Sequence, residues 1–134
     1  MVITITEKQM NIIDCIDNNT FLKSIFPAGI EEGLIGQFGL DQGRFSINIH
    51  TKTKPAKPVA KWGVWGEDYD VIVIEMLGTG LTQIDIQNWD KYESASITCK
   101  KNEMELQLTY GANDWALRLK CRGMAFQKCS TYIA

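Results

Sequence analysis

The stretch "MELQLTYGANDWALRLKC", Met104–Cys121, decides the fold because it carries a strand pattern twice around one loop. With Gly111-Ala112-Asn113-Asp114 as the loop, Tyr110 faces Trp115, Leu108 faces Leu117, Leu106 faces Leu119 and Met104 faces Cys121. The other face sets Gln107 against Arg118, Glu105 against Lys120 and Glu103 against Arg122. Apolar pairs on one face and opposite charges on the other are worth roughly 0.2–1 kcal/mol per pair. A one-residue slip would turn every apolar side chain to the wrong side. The chain is therefore expected to hold an antiparallel hairpin here.

The period of two extends outward. A strand at Ser94–Cys99 precedes the hairpin, joined by Lys100-Lys101-Asn102. Further upstream, Gly78-Thr79-Gly80 reads as a turn that sets Leu77 against Leu81, Ile74 against Ile84 and Ile72 against Ile86, with Val73 meeting Asp85 on the other face. Val71 and Val73 make that first strand apolar on both sides, which suits a central position. Phe45, Ile47 and Ile49 alternate with Arg44, Ser46, Asn48 and His50, a half-buried strand. Between them "TKTKPAKPVAK", residues 51–61, is an exposed connection, since two prolines remove backbone donors.

Before Arg44 the pattern changes. Ile12, Ile13, Ile16, Phe21, Leu22, Ile25 and Phe26 recur at helical spacing, interrupted at Asp17–Thr20 and stopped by Pro27 and Gly29. "MVITIT" at the start alternates and reads as an extended lead-in. Residues 28–43, with five glycines, are expected to be irregular with one short strand around Leu34–Phe38. The expected fold is α+β: one domain over 1–134, with a helical start at 1–27 packed on an antiparallel β-meander of five to seven strands within 44–134.

At 134 residues, 45% hydrophobic and 22% charged, the chain has an ordinary globular composition. No apolar run nears the ~20 residues of a membrane span, and the N-terminus lacks a secretion signal, so a cytoplasmic location without membrane attachment is expected. Cys15, Cys99, Cys121 and Cys129 show no C-x-x-C spacing and read as free, mostly buried thiols. Charge is unevenly spread. Residues 62–95 hold one base, Lys91, against seven acids, a net of −6, while the whole chain carries −2. Direct nucleic-acid binding is not expected of such a balance.

Catalytic constellations are not readable. His50 is the single histidine and lies on the polar face of its strand, so neither a metal site nor a Cys–His pair can be assembled around it. No phosphate loop, dinucleotide fingerprint or nucleophile elbow occurs. The expectation is no enzyme, no metal and no cofactor. Binding residues are easier to nominate. Glu67, Asp68, Asp70, Glu75, Asp85 and Asp90 supply charge, with Trp65 and Trp89 as aromatic anchors, while Trp62 and the prolines close the sheet. Glu75 and Asp85, with Asp70 nearby, are expected to share an open end of one face, because burying them unpaired would be costly.

A helical start, "GRFSINIH", a Pro/Lys loop leading into Lys61-Trp62, then "DVIVIEMLGTGLTQIDIQNW" ending on Asn88-Trp89 resemble bacterial immunity proteins, the group numbered fifty, from about residue 20 to "STYI". The resemblance implies a non-catalytic antitoxin of polymorphic-toxin or contact-dependent growth-inhibition systems. Such a protein binds a cognate toxin C-terminal domain and covers its active or functional surface. A basic nuclease would suit the acidic segment by charge. The alternatives are an adaptor subunit of a larger complex, or a small-molecule or lipid-binding β-meander whose cavity Phe45, Ile47, Leu106 and Leu108 would line.

Overall fold

The computed structural model describes residues 8–90, 93–112 and 114–134, so "MVITIT" lies outside the described residues. In chain order the elements are β1 (Lys8–Met10), α1 (Ile12–Cys15), β2 (Ile16–Asp17), α2 (Thr20–Ile25), β3 (Glu32–Asp41), β4 (Arg44–Thr51), a 3-10 turn at Ala60–Trp62, β5 (Val71–Thr79), β6 (Gln83–Gln87), β7 (Ala95–Lys101), β8 (Leu106–Ala112), β9 (Trp115–Cys121) and β10 (Gly123–Tyr132). Ten strands form one sheet in the order β2-β10-β5-β4-β3-β7-β8-β9-β6, with β1 on β7. The molecule is mostly β. The α+β expectation holds only roughly, because the helical start shrinks to helices of four and six residues.

The sheet folds over on itself. Glu32 and Gly33 of β3 pair with β7, whereas Leu34–Asp41 pair with β4, so this one strand passes from one half to the other. Phe45, Ile47, Ile49, Ile72, Ile74 and Met76 from one half join Ile97, Cys99, Leu106, Leu108, Leu117 and Leu119 from the other in a single buried cluster. Each fully buried side chain of this kind contributes about 1.5–3 kcal/mol. Ile12, Ile13, Cys15, Leu22 and Ile25 of the helices belong to the same cluster. Asn11 fixes the first helix: its side chain accepts from the amides of Ile13 and Ile30 at 3.1 Å each and donates to the Ile30 carbonyl at 2.8 Å. It thus caps α1 and ties it to the lead into β3.

Three expectations are corrected. The Met104–Cys121 hairpin forms with the expected inward face, but its register is displaced by two residues. Leu106 pairs with Cys121, Leu108 with Leu119, Tyr110 with Leu117 and Ala112 with Trp115. Met104 is consequently 84% exposed instead of buried opposite Cys121. Gly111 explains the tighter register: a side chain there would lie 2.8 Å from Ala116 Cα. Only glycine lets the two strands approach this closely at that point.

The Gly78–Gly80 hairpin does not form. β5 pairs with β4 and β10, and β6 with β9, so Ile74 faces Ile49 and Cys129, never Ile84. At Gly80, with φ +64°, the chain leaves β5; the Leu81 amide then donates to Gly43 O and the Thr82 amide to Lys120 O, which delivers the chain to β9. Both faces of β5 are buried through most of its length, as a central strand requires.

Residues 28–43 were expected to be irregular, yet β3 occupies ten of them as a full strand. A bulge between Ile35 and Gln37 breaks its alternation. β10 was likewise not expected as a strand, and it too carries an irregularity, between Phe126 and Lys128. Its parallel neighbour β2, Ile16 beside Met124, joins the two ends of the chain in one sheet.

Candidate partner-binding surfaces

The loop from Gly63 to Asp70 is built around two aromatic stacks. Trp62 is 8% exposed and meets the rings of Phe21 and Tyr69 edge-on, both at 5.8 Å. Trp65, half-buried, stands at 89° to Tyr69 with 5.3 Å between centroids. Gly63 and Gly66 both take positive φ, and Asp68 Oδ2 accepts from the Val64 amide at 2.7 Å to hold the bend. The lysine-proline connection is one wall of a cleft of about 400 Å³ whose other wall is Val64, Trp65 and Tyr69. Pro55 is buried, and the Ala56 amide donates to Ile25 O at 2.8 Å. Trp62 and Pro55 therefore close the core, whereas Pro58, expected to do the same, is exposed, and Trp65 lies between core and surface.

The nominated acids divide into two groups. Glu67 and Asp68 project from this loop, and Asp70 Oδ1 accepts from the Ala134 amide at 2.7 Å. Glu75 stands midway along the outer face of β5, beside Asn48 of β4 and Lys128 of β10, with Lys128 Nζ at 3.7 Å. Asp85, Trp89 and Asp90 belong to β6 and the segment after it, at the far edge of the sheet. Five strands intervene between β5 and β6. Asp85 consequently faces Arg118, not Val73, and the expected grouping of Glu75 with Asp85 does not form.

A groove of about 530 Å³ crosses the outer face of the β3-β4-β5-β10 half, lined by Gln37, Ser46, Asn48, Glu75, Leu77 and Lys128. Asn48 Oδ1 is buried there without a hydrogen-bond partner among the described residues. His50, next along this face, is half-buried, and its Nδ1 lies 2.8 Å from the Tyr132 hydroxyl. Loss of solvent pushes its pKa below the ordinary histidine value. Gly36 makes room for both side chains: a Cβ there would sit 2.6 Å from His50 Nε2 and 3.1 Å from Asn48 Oδ1. The polar alternation of β4 pointed to this face. Its contact with Tyr132 is 82 residues away and left no local signal.

The thiols are free, with Cys15, Cys99 and Cys121 buried and Cys129 partly so. Burial pushes Cys121 up to about 11 and Cys129 up to about 12. Cys99 donates a hydrogen bond to Cys15, which raises its own pKa and lowers that of Cys15. Among the described residues no three His, Cys, Asp or Glu side chains converge to hold a metal, and no helix is long and apolar enough to cross a membrane.

These surfaces set acidic and aromatic groups on a loop and at one edge of a small, mostly-β domain. The chain belongs to the Immunity protein 50 family, whose model matches residues 18–132. Comparison with curated proteins and with solved structures gave no match.

Proposed function

We propose that this protein is a non-catalytic immunity protein, an antitoxin that binds a cognate toxin C-terminal domain and covers its active or functional surface. Membership of the Immunity protein 50 family over residues 18–132 carries the reading. Charge supports it: Glu67, Asp68 and Asp70, close together on the loop after Gly63, would complement a basic surface such as a nuclease builds for phosphate. The binding residues are Trp65, Glu67, Asp68, Asp70 and Glu75 on one part of the molecule and Asp85, Trp89 and Asp90 on another, acting in the cytoplasm within contact-dependent growth inhibition or a related form of bacterial competition. The small-molecule reading is the weaker, because Phe45, Ile47, Leu106 and Leu108 are at most 2% exposed and packed in the core.

The test is affinity capture with the tagged chain from the producing strain at low salt, intact-mass analysis of what co-elutes, and a growth assay of the captured partner. A toxin-sized protein bound one-to-one, and toxic once separated, supports the proposal. A stoichiometric small molecule, or a partner with no toxicity, overturns it.

A further inference from the structure

We propose that β6 receives a strand of the toxin domain by edge-to-edge pairing, with a basic residue of that strand set opposite Asp85. This rests on the toxin-binding reading. β6 ends the sheet: Gln83–Gln87 pair with β9 on one side, and among the described residues no backbone hydrogen bond reaches the other. Five residues at about 3.4 Å each leave a row roughly 17 Å long of backbone donors and acceptors open to a further strand. The edge is also apolar on the core side. Ile84 and Ile86 pair with Leu119 and Leu117, which are 2% and 0% exposed, yet Ile86 itself is 43% exposed and Ile84 is only partly buried. Trp89, 38% exposed, follows directly after β6. The core face therefore runs on beyond its last covered strand, and an added strand with apolar residues opposite Ile84 and Ile86 would cover it.

Charge decides the occupant. A second copy pairing antiparallel along the whole of β6 would set Asp85 against its own counterpart, and like charges directly opposite are destabilising. Shifting that register by two residues removes the repulsion but leaves only Asp85–Gln87 or Gln83–Asp85 paired. Asp85 makes no ion pair among the described residues, although it faces Arg118 across the ladder. A strand alternating apolar and basic residues matches every one of these features; an acidic strand or a second copy does not.

The experiment is amide hydrogen exchange on the full chain with two blocked seven-residue peptides, one alternating Val and Lys, the other Val and Glu. The Val/Lys peptide is expected to slow exchange within Gln83–Gln87 by about tenfold or more, and the Val/Glu peptide to leave it unchanged. Asp85→Asn should abolish the preference and Asp85→Lys reverse it. Equal protection by both peptides, protection by neither, or concentration-dependent protection without peptide overturns the proposal. A captured toxin provides the second arm. Protection confined to other strands would sink the β6 site and leave the proposed function standing. Val/Lys protection with no toxic partner would keep β6 as an edge for a basic strand but overturn the toxin as its source, and with it the proposed function.

Discussion

Replacing Gly33 by alanine probes the point where β3 passes between the two halves of the sheet. The added methyl would lie 2.8 Å from Ile49 Cγ2, 3.0 Å from His50 O and 3.2 Å from Ile97 Cδ1. Carbon atoms settle at about 3.5–4.0 Å, so the first contact is short by roughly 0.7 Å. One of the three neighbours is backbone, held in the β3–β4 ladder, and cannot move aside alone. Overpacking of this kind costs about 1–3 kcal/mol. Gly33 is not in the left-handed region, so alanine also restricts the unfolded chain, a gain of about 0.4–1 kcal/mol. The steric term is larger, and the net loss is about 1–2 kcal/mol. With a urea slope of about 2 kcal/mol per molar, the unfolding midpoint followed by tryptophan fluorescence should fall by about 0.5–1 M. Ile97→Val removes Ile97 Cδ1, so combined with Gly33→Ala it should cost at least about 0.5 kcal/mol less than the sum of the two. A midpoint that stays or rises on Gly33→Ala would refute the close approach of the halves at β3.

The lone histidine gives a clean pH experiment. Because the folded pKa of His50 is depressed, the unfolded chain takes up the proton first. Its contribution is complete above about pH 6.5 and is lost as pH falls through that value towards the folded pKa. Urea midpoints at pH 7.5 and 5.0 should therefore differ less for His50→Gln than for the natural chain. Labelling of Cys129 at pH 8 should be slow, since at about 12 it is ionised in only roughly one molecule in ten thousand; rapid modification mapped to Cys129 in the native protein would contradict its burial. Lys128→Met should change stability by no more than about 0.5 kcal/mol, because Lys128 is 71% exposed in its 3.7 Å pair with Glu75.

The sequence was most legible where side-chain polarity alone decides the outcome. Phe45, Ile47 and Ile49 lie inward and Arg44 and Ser46 outward, as the period of two requires. The same rule has a blind spot. A two-residue slip returns every side chain to its own face, so polarity could not choose between Leu108 opposite Leu117 and Leu108 opposite Leu119. The choice lay with Gly111, a backbone effect. For β5 the difficulty was different: apolar on both faces, it accepts nearly any apolar neighbour, and a glycine-rich turn with β6 close by looked adequate. Its actual partners come from 20 or more residues away on either side. The candidate surfaces inherit this limit. Glu67, Asp68 and Asp70 are neighbours in sequence and remain neighbours in space, but whether Asp85 joins Glu75 depended wholly on strand order.

That strand order has a consequence during synthesis. β10 covers the edge of β5 opposite β4, and among the described residues it is the one strand that pairs with β2. Until Gly123–Tyr132 has emerged from the ribosome, β5 exposes a bare edge of nine residues and Ile16 lacks its neighbour Met124. Contacts of such separation form late, since the loop must close before they repay it. A nascent chain is thus exposed to mispairing until β10 is free, and a ribosome stalled even ten codons short of Tyr132 would hold a molecule whose β5 edge is still bare.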